Sequence, residues 1–159
     1  MFSFISKIKS FKKQDKRNKL DSKINLYIKE TLEKIKNKKE LNFLHSGHLG
    51  DLINSLPVIK EISKSKKCNL FVNIGKKINV KGYDQHHPFK EFFLTKGSYE
   101  KLFPLLKSQS YLSKIEIYKD QKIDVDLDFF RELPINFNID SVRWYSHLTG
   151  INPELNSPY

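Results

Sequence analysis

Residues 41–75 place two short apolar runs on either side of one helical stripe, with a glycine turn after each run. Residues 41–45 (LNFLH) read as a buried strand. Leu49, Leu52, Ile53, Leu56, Ile59 and Ile62 recur along one helical face, and residues 68–74 (CNLFVNI) read as a second strand closed by Gly75. A strand, a helix and a strand with short connections form a βαβ unit, whose crossover is right-handed and whose strands are parallel. The expected fold class is therefore α/β, a Rossmann-like parallel sheet with helices on both faces. Ligands in such sheets sit beyond the carboxyl ends of the strands. The turn at residues 46–51 is thus the first place to look for chemistry.

The rest of the chain extends this pattern. Residues 76–97 contain Gly82, Pro88, Gly97 and the pair His86 and His87, and read mainly as loop with an apolar stretch at 92–94. Ser98 is expected to cap a helix carrying Leu102, Leu105 and Leu106. Residues 114–118 alternate as a strand, and 123–129 read as extended chain. Asp140 is placed to cap the last helix, with Ile139 and Trp144 as a hydrophobic staple. Val142, Tyr145 and Leu148 give that helix an apolar face, and Gly150 closes it.

A length of 159 residues suits one domain, and 38% hydrophobic with 13% aromatic residues excludes a wholly disordered chain. No apolar run reaches membrane-spanning length, and the first ten residues lack a signal-peptide core. The single cysteine, Cys68, excludes an internal disulfide and a cysteine metal cage, and reads as core. These features lead us to expect a cytoplasmic protein.

The formal charge of +11 is unevenly spread: residues 1–40 hold 13 basic and 5 acidic side chains, and residues 41–159 hold 16 and 13. We expect a basic helical extension at 1–40, ahead of a domain at 41–159. Phe4, Ile5, Ile8 and Phe11 follow helical spacing with Lys7, Lys9, Lys12 and Lys13 interleaved. A second stripe runs through Leu20, Ile24, Tyr27, Ile28, Leu32 and Ile35, and the charged stretch 11–19 between them reads as a flexible joint. A basic amphipathic helix suits an anionic membrane surface, here through residues 1–13; the plainer reading is a frayed tail. Nucleic acid is the rival partner for a basic chain. Against it, only Arg17, Arg131 and Arg143 stand among 29 basic residues, and no recognised nucleic-acid-binding motif occurs.

At the turn, Gly47 and Gly50 are three apart, which matches neither the dinucleotide fingerprint nor the phosphate loop. The turn offers backbone N–H groups and a helix N-terminus, a general anion site. Asp51, at the start of that helix, would already occupy the positive end. By spacing it is either a cap or a positioned base.

The longer string at residues 44–60, LHSGHLGDLINSLPVIK, resembles the opening of the ADP-heptose:lipopolysaccharide heptosyltransferases, glycosyltransferase family 9. The residues that carry the likeness are Gly47, Leu49, Gly50, Asp51 and Pro57, a G-x-L-G-D turn followed by a helix with an internal proline. The stretch from Tyr99 to Leu106, the run 126–128 (DLD), Arg131 and the helix end at 147–150 add a more general similarity. The resemblance implies the N-terminal half of a GT-B pair of Rossmann-like domains. It implies Asp51 as the catalytic base and Ser46, Gly47, His48, Leu49 and Gly50 as the acceptor-site wall. The implied reaction moves a heptose-like sugar from a nucleotide-sugar, such as an ADP-sugar, to a hydroxyl of a glycan or glycolipid acceptor, without a metal. Because the likeness covers only the first half of the family pattern, a donor domain, separately encoded or missing, is expected to complete the enzyme. The alternative is a basic nucleic-acid-binding or non-catalytic interaction module.

Two further groups bear on metals. Asp124, Asp126 and Asp128 alternate on the extended stretch and would share one face. Their hard oxygens suit magnesium or manganese, and the plain alternative is a solvated strand face. The five histidines lack ligand spacing, since His45 and His48 straddle a turn and two ligands make a poor zinc site. No metal is expected.

Overall fold

The computed structural model describes residues 2–78, 91–134, 138 and 140–154, with side chains described from residue 18 onward. The elements run α1 (Phe2–Asn37), β1 (Glu40–His45), α2 (Leu49–Ser63), β2 (Lys67–Val72), α3 (Lys96–Lys107), β3 (Leu112–Ile117), β4 (Val125–Asp126), a 3-10 helix (Leu127–Glu132) and α4 (Ser141–Thr149). The four strands form one parallel sheet in the order β3-β2-β1-β4, flanked by helices in the Rossmann-like manner. The β1–α2–β2 unit falls where the apolar spacing places it.

Alternation along β1 decides the two faces. Leu41, Phe43 and His45 are buried, and Glu40, Asn42 and Leu44 are less so. The buried face receives the helices. Cys68 Sγ lies 3.9 Å from the Ile59 carbonyl of α2, and His45 Nε2 lies 3.1 Å from the Tyr145 hydroxyl of α4. Tyr99 and Phe103 of α3 share a recess with Ile115 and Ile117.

The opposite face carries polar pairs between the strands. There Asn69 Nδ2 donates to Glu40 Oε1 (2.7 Å) and Asn42 Oδ1 (2.8 Å), while Asn42 Nδ2 donates to the Lys122 carbonyl (2.8 Å). The chain therefore returns across this face, from β3 at one edge to β4 at the other. Residues 118–124 reach about 23 Å when extended, enough for three strand spacings of about 14 Å in all, so no helix is needed.

The extended reading of 123–129 is corrected. Only Val125 and Asp126 pair with β1. Asp126 Oδ1 then accepts the Asp128 N–H at 3.0 Å, a local side-chain cap that turns the chain into the 3-10 helix. Two residues make a weak strand, and α1 secures it. The Tyr27 hydroxyl donates to the Asp126 carbonyl (3.0 Å) and accepts the Asp126 N–H (2.7 Å), so a phenol takes the place of a neighbouring strand. Burial pushes that phenol up to about 12. The Tyr27 ring stacks on Phe129 with centroids 3.7 Å apart, and Lys34 Nζ donates to the Asp124 carbonyl at 3.0 Å.

The second half of α1 is thus packed into the domain, with Ile24, Thr31 and Ile35 buried. The helix is continuous from Phe2 to Asn37, so the joint expected at 11–19 is absent. Thr95, not Ser98, caps α3: its Oγ1 accepts the Ser98 N–H at 3.2 Å. Asp140 caps α4 through the Val142 N–H, and Gly150 closes it at φ 68°. Ile139 of the expected staple lies outside the described residues, as do His86 and His87. Cys68 is buried in the core, and desolvation pushes its thiol up to about 12.

Candidate functional site

β1 and β4 lie side by side, and their carboxyl ends carry the turn 46–48 and the 3-10 helix respectively. In a sheet of this order, β1 is where the connections change face, the switch point at which such folds bind ligands. Here the structure gathers Asp51, Asp128 and Arg131. Arg131 Nη2 donates to Asp51 Oδ2 at 2.6 Å and its Nη1 to Asp128 Oδ1 at 2.7 Å. One guanidinium fork therefore joins the first turn of α2 to the end of β4. The guanidinium carbon also sits 4.3 Å from the ring centroid of Phe130 and 4.9 Å from that of Phe93.

Asp128 is the hub. Its Oδ2 accepts the Ser46 N–H at 2.7 Å and lies 3.5 Å from Lys76 Nζ. Its side chain is only 5% exposed. Desolvation alone would raise its pKa. The positive charge of the His45 ring when protonated, Arg131, Lys76 and the Ser46 hydrogen bond outweigh that and hold the carboxyl below the ordinary carboxylate range. Asp126 goes the other way, raised by burial and by the charge of Asp128.

His45 ends β1 in full burial, and its hydrogen bonds fix its tautomer. Nδ1 accepts the Gly47 N–H at 3.0 Å, so Nε2 carries the proton and donates to the Tyr145 hydroxyl at 3.1 Å. That hydroxyl donates to the Asp51 carbonyl at 2.8 Å. Burial lowers the imidazole pKa and raises that of the phenol, so both are neutral near pH 7. The chain His45–Tyr145–Asp51 ties β1 to α2 through α4.

The turn residues play distinct parts. A Cβ on Gly47 would stand 2.7 Å from Arg131 Nη2, 2.8 Å from His45 Cε1 and 3.1 Å from Asp128 Oδ1. Gly47 is therefore required by close approach, whereas Gly50 has open space. Gly47→Ala should cost about 1–3 kcal/mol by displacing the Arg131 fork or the His45 ring. Gly50→Ala, in the first turn of α2, should cost nothing measurable. Paired urea titrations check this; equal midpoints for the two variants would refute it. His48 occupies the cap position of α2 without a side-chain cap bond, and its Nδ1 lies 2.9 Å from the Phe93 carbonyl. It packs edge-on against Phe93, so it is not a merely solvated loop residue. Leu49 opens α2 and packs partly buried against the core. The Ser46 hydroxyl is buried and without a hydrogen-bond partner among the described residues.

The three aspartates do not share a face, which corrects the alternation argument. Asp124 pairs with Lys38 and accepts the Asn42 N–H at 3.1 Å, Asp126 caps the 3-10 helix, and Asp128 joins the arginine cluster. Among the described residues no group of three or more His, Cys, Asp or Glu is placed to hold a metal ion.

The cluster reaches solvent through Asp51, Arg131 and Lys76, whose side chains are 20%, 28% and 43% exposed. The larger recesses lie elsewhere: about 680 Å³ beside Arg143, His147 and Asn152, and about 450 Å³ beside Tyr99 and Ile117. Size alone does not mark the chemistry here; the converging charges do.

Sequence spacing placed Asp51 and the glycine turn but missed Lys76, Tyr145 and the bridging role of Arg131. The available signal was scarcity, since Arg131 is one of three arginines in a lysine-rich chain and lies three residues after an aspartate. No protein-family model matches the chain, and neither a curated protein nor a solved structure matches it.

Proposed function

We propose that the chain is the acceptor-side half of a sugar transferase of the family 9 type, the N-terminal partner in a GT-B pair. A second domain would bind the nucleotide-sugar donor, an ADP-sugar by resemblance, and the acceptor would be a hydroxyl of a glycan or glycolipid. The observation that carries this reading is the Asp51 carboxylate, presented at the first turn of α2 beyond the end of β1 and held by Arg131 at 2.6 Å. As the acceptor oxygen attacks the anomeric carbon, Asp51 takes its proton and the nucleoside diphosphate departs with inversion. Arg131 positions the carboxylate, and Asp128, itself anchored on the Ser46 N–H, positions Arg131. The turn 46–50 lines the acceptor side.

In the assembled transferase Asp51→Asn should lower kcat by about 10²–10⁴ with little change in KM. Unchanged turnover in a folded variant would remove Asp51 from the catalytic role. The same guanidinium fork favours a second reading, in which Asp51 and Asp128 are structural anchors of a binding module. In that case Asp51→Asn lowers the melting temperature and leaves saccharide binding, read on a glycan array, as it was.

A further inference from the structure

We infer that the first half of α1 is a docking helix for an anionic lipid surface. The structural observation is where the helix leaves the domain. All six residues from Asn18 to Lys23 are exposed. Six successive helical residues point in every direction, so the helix stands off the sheet and its covering helices there. Among the described residues, α1 meets the domain through the Lys23–Phe129 contact and the buried Ile24 side chain. The helix continues to Phe2, a further length of about 33 Å before Ile24.

Helical spacing sorts the residues of that projection. Phe4, Ile5, Ile8 and Phe11 fall within an arc of about 120°, with Lys7 beyond one margin and Lys9 beyond the other; Lys12 and, one turn on, Asp15 enter the arc, and the long Lys12 stem can carry its charge to headgroup level. Residues 2–17 hold six basic side chains, Lys7, Lys9, Lys12, Lys13, Lys16 and Arg17, against the single acid Asp15. A lone helix of this length is marginal in water, and its apolar arc needs cover. A coiled coil is a poor occupant. The heptad positions after Phe4, Ile8 and Phe11 fall on Asp15, Asn18 and Ser22, and two heptads do not sustain a coil. Nucleic acid matches the lysines but not the aromatic and aliphatic arc between them. An interface of anionic headgroups over acyl chains matches both, with lysines at headgroup level and the arc below. No described helix is long and apolar enough to cross a membrane, so the helix would lie along the surface. This inference is independent of the transferase reading.

The test is flotation of the full chain with phosphatidylcholine vesicles and with vesicles containing phosphatidylglycerol. Binding is expected to the anionic vesicles only, weakening as salt rises. The double variant Ile5→Asp and Ile8→Asp should lower the partition coefficient by tenfold or more. Lys7→Gln should lower it about fivefold. Thermal melting of the domain should be unchanged in both, because these residues lie ahead of the exposed stretch 18–23. Absence of flotation, equal binding to neutral vesicles, or unaltered binding by the double variant would each overturn the inference. Two other results would also overturn it. One is preferential retention on random-sequence RNA that survives the isoleucine changes. The other is a stable dimer in sedimentation that the isoleucine changes dissociate.

Discussion

Asp128→Ala should lower the stability of the domain by about 3 kcal/mol. The carboxylate is almost fully buried and accepts hydrogen bonds from the Ser46 N–H at 2.7 Å and from Arg131 at 2.7 Å. Truncation leaves a buried backbone N–H without its acceptor and a guanidinium with only one of its two carboxylates. Lys76→Met is the control. Lys76 touches the same carboxylate only at 3.5 Å and is 43% exposed, so its loss should cost less than about 1 kcal/mol. Urea unfolding followed by far-ultraviolet circular dichroism measures both. A cost for Asp128→Ala no larger than that for Lys76→Met would show that the cluster does not tie the β4 end to the β1 turn.

Below about pH 6.5 the protein should lose stability as pH falls, at up to about 1.4 kcal/mol per pH unit, and His45 should be the source. Burial depresses the folded pKa of this histidine below its unfolded value, so in that window the unfolded chain binds a proton that the folded chain refuses. The sign follows: stability falls as pH falls. Protonation on Nδ1 would also break the bond that accepts the Gly47 N–H. Asp128 contributes in a separate window. Its folded pKa is depressed, so its stabilisation is intact above about pH 4 and is lost as pH drops further through the folded value. In His45→Gln the slope just below pH 6.5 should flatten, whatever the variant does to absolute stability. A slope equal to that of the parent protein would move the titration to another group.

The two predictions draw on different parts of the chain's legibility. The βαβ unit at 40–72 could be read directly, because a strand buried on one face and an amphipathic helix each write their period into the sequence. The Asp140 cap and the Gly150 end of α4 are likewise local, decided by a short polar side chain and by a residue tolerant of positive φ. Thr95 shows the limit of such rules. Thr95 and Ser98 are both capping residues, and their side chains lie 3.0 Å apart. Composition does not choose between them; the first free N–H to be satisfied does.

Periodicity misled at 123–129. The alternation of aspartates with Val125, Leu127 and Phe129 has the period of a strand, but the Asp126 side chain captures the Asp128 N–H after two residues. Side-chain competition for backbone donors leaves no mark on hydrophobic spacing. The charged stretch 11–19 misled in the opposite sense. Lysine is a good helix former, and a polar run continues a helix as readily as it interrupts one.

What the sequence by itself determined is the set of local elements: the parallel unit, the glycine turn with Asp51 at the head of α2, and the caps of the last helix. What only the tertiary structure decided is which distant residues meet. Arg131 reaches Asp51 across 80 residues, Tyr145 joins His45 across 100, and Tyr27 closes the edge of β4 across 99. The physical reason is that hydrogen-bond geometry and propensity act within a turn or two of chain. A bridge between carboxylates is set by sheet order, which follows from burying one face of each strand against the same layer of helices.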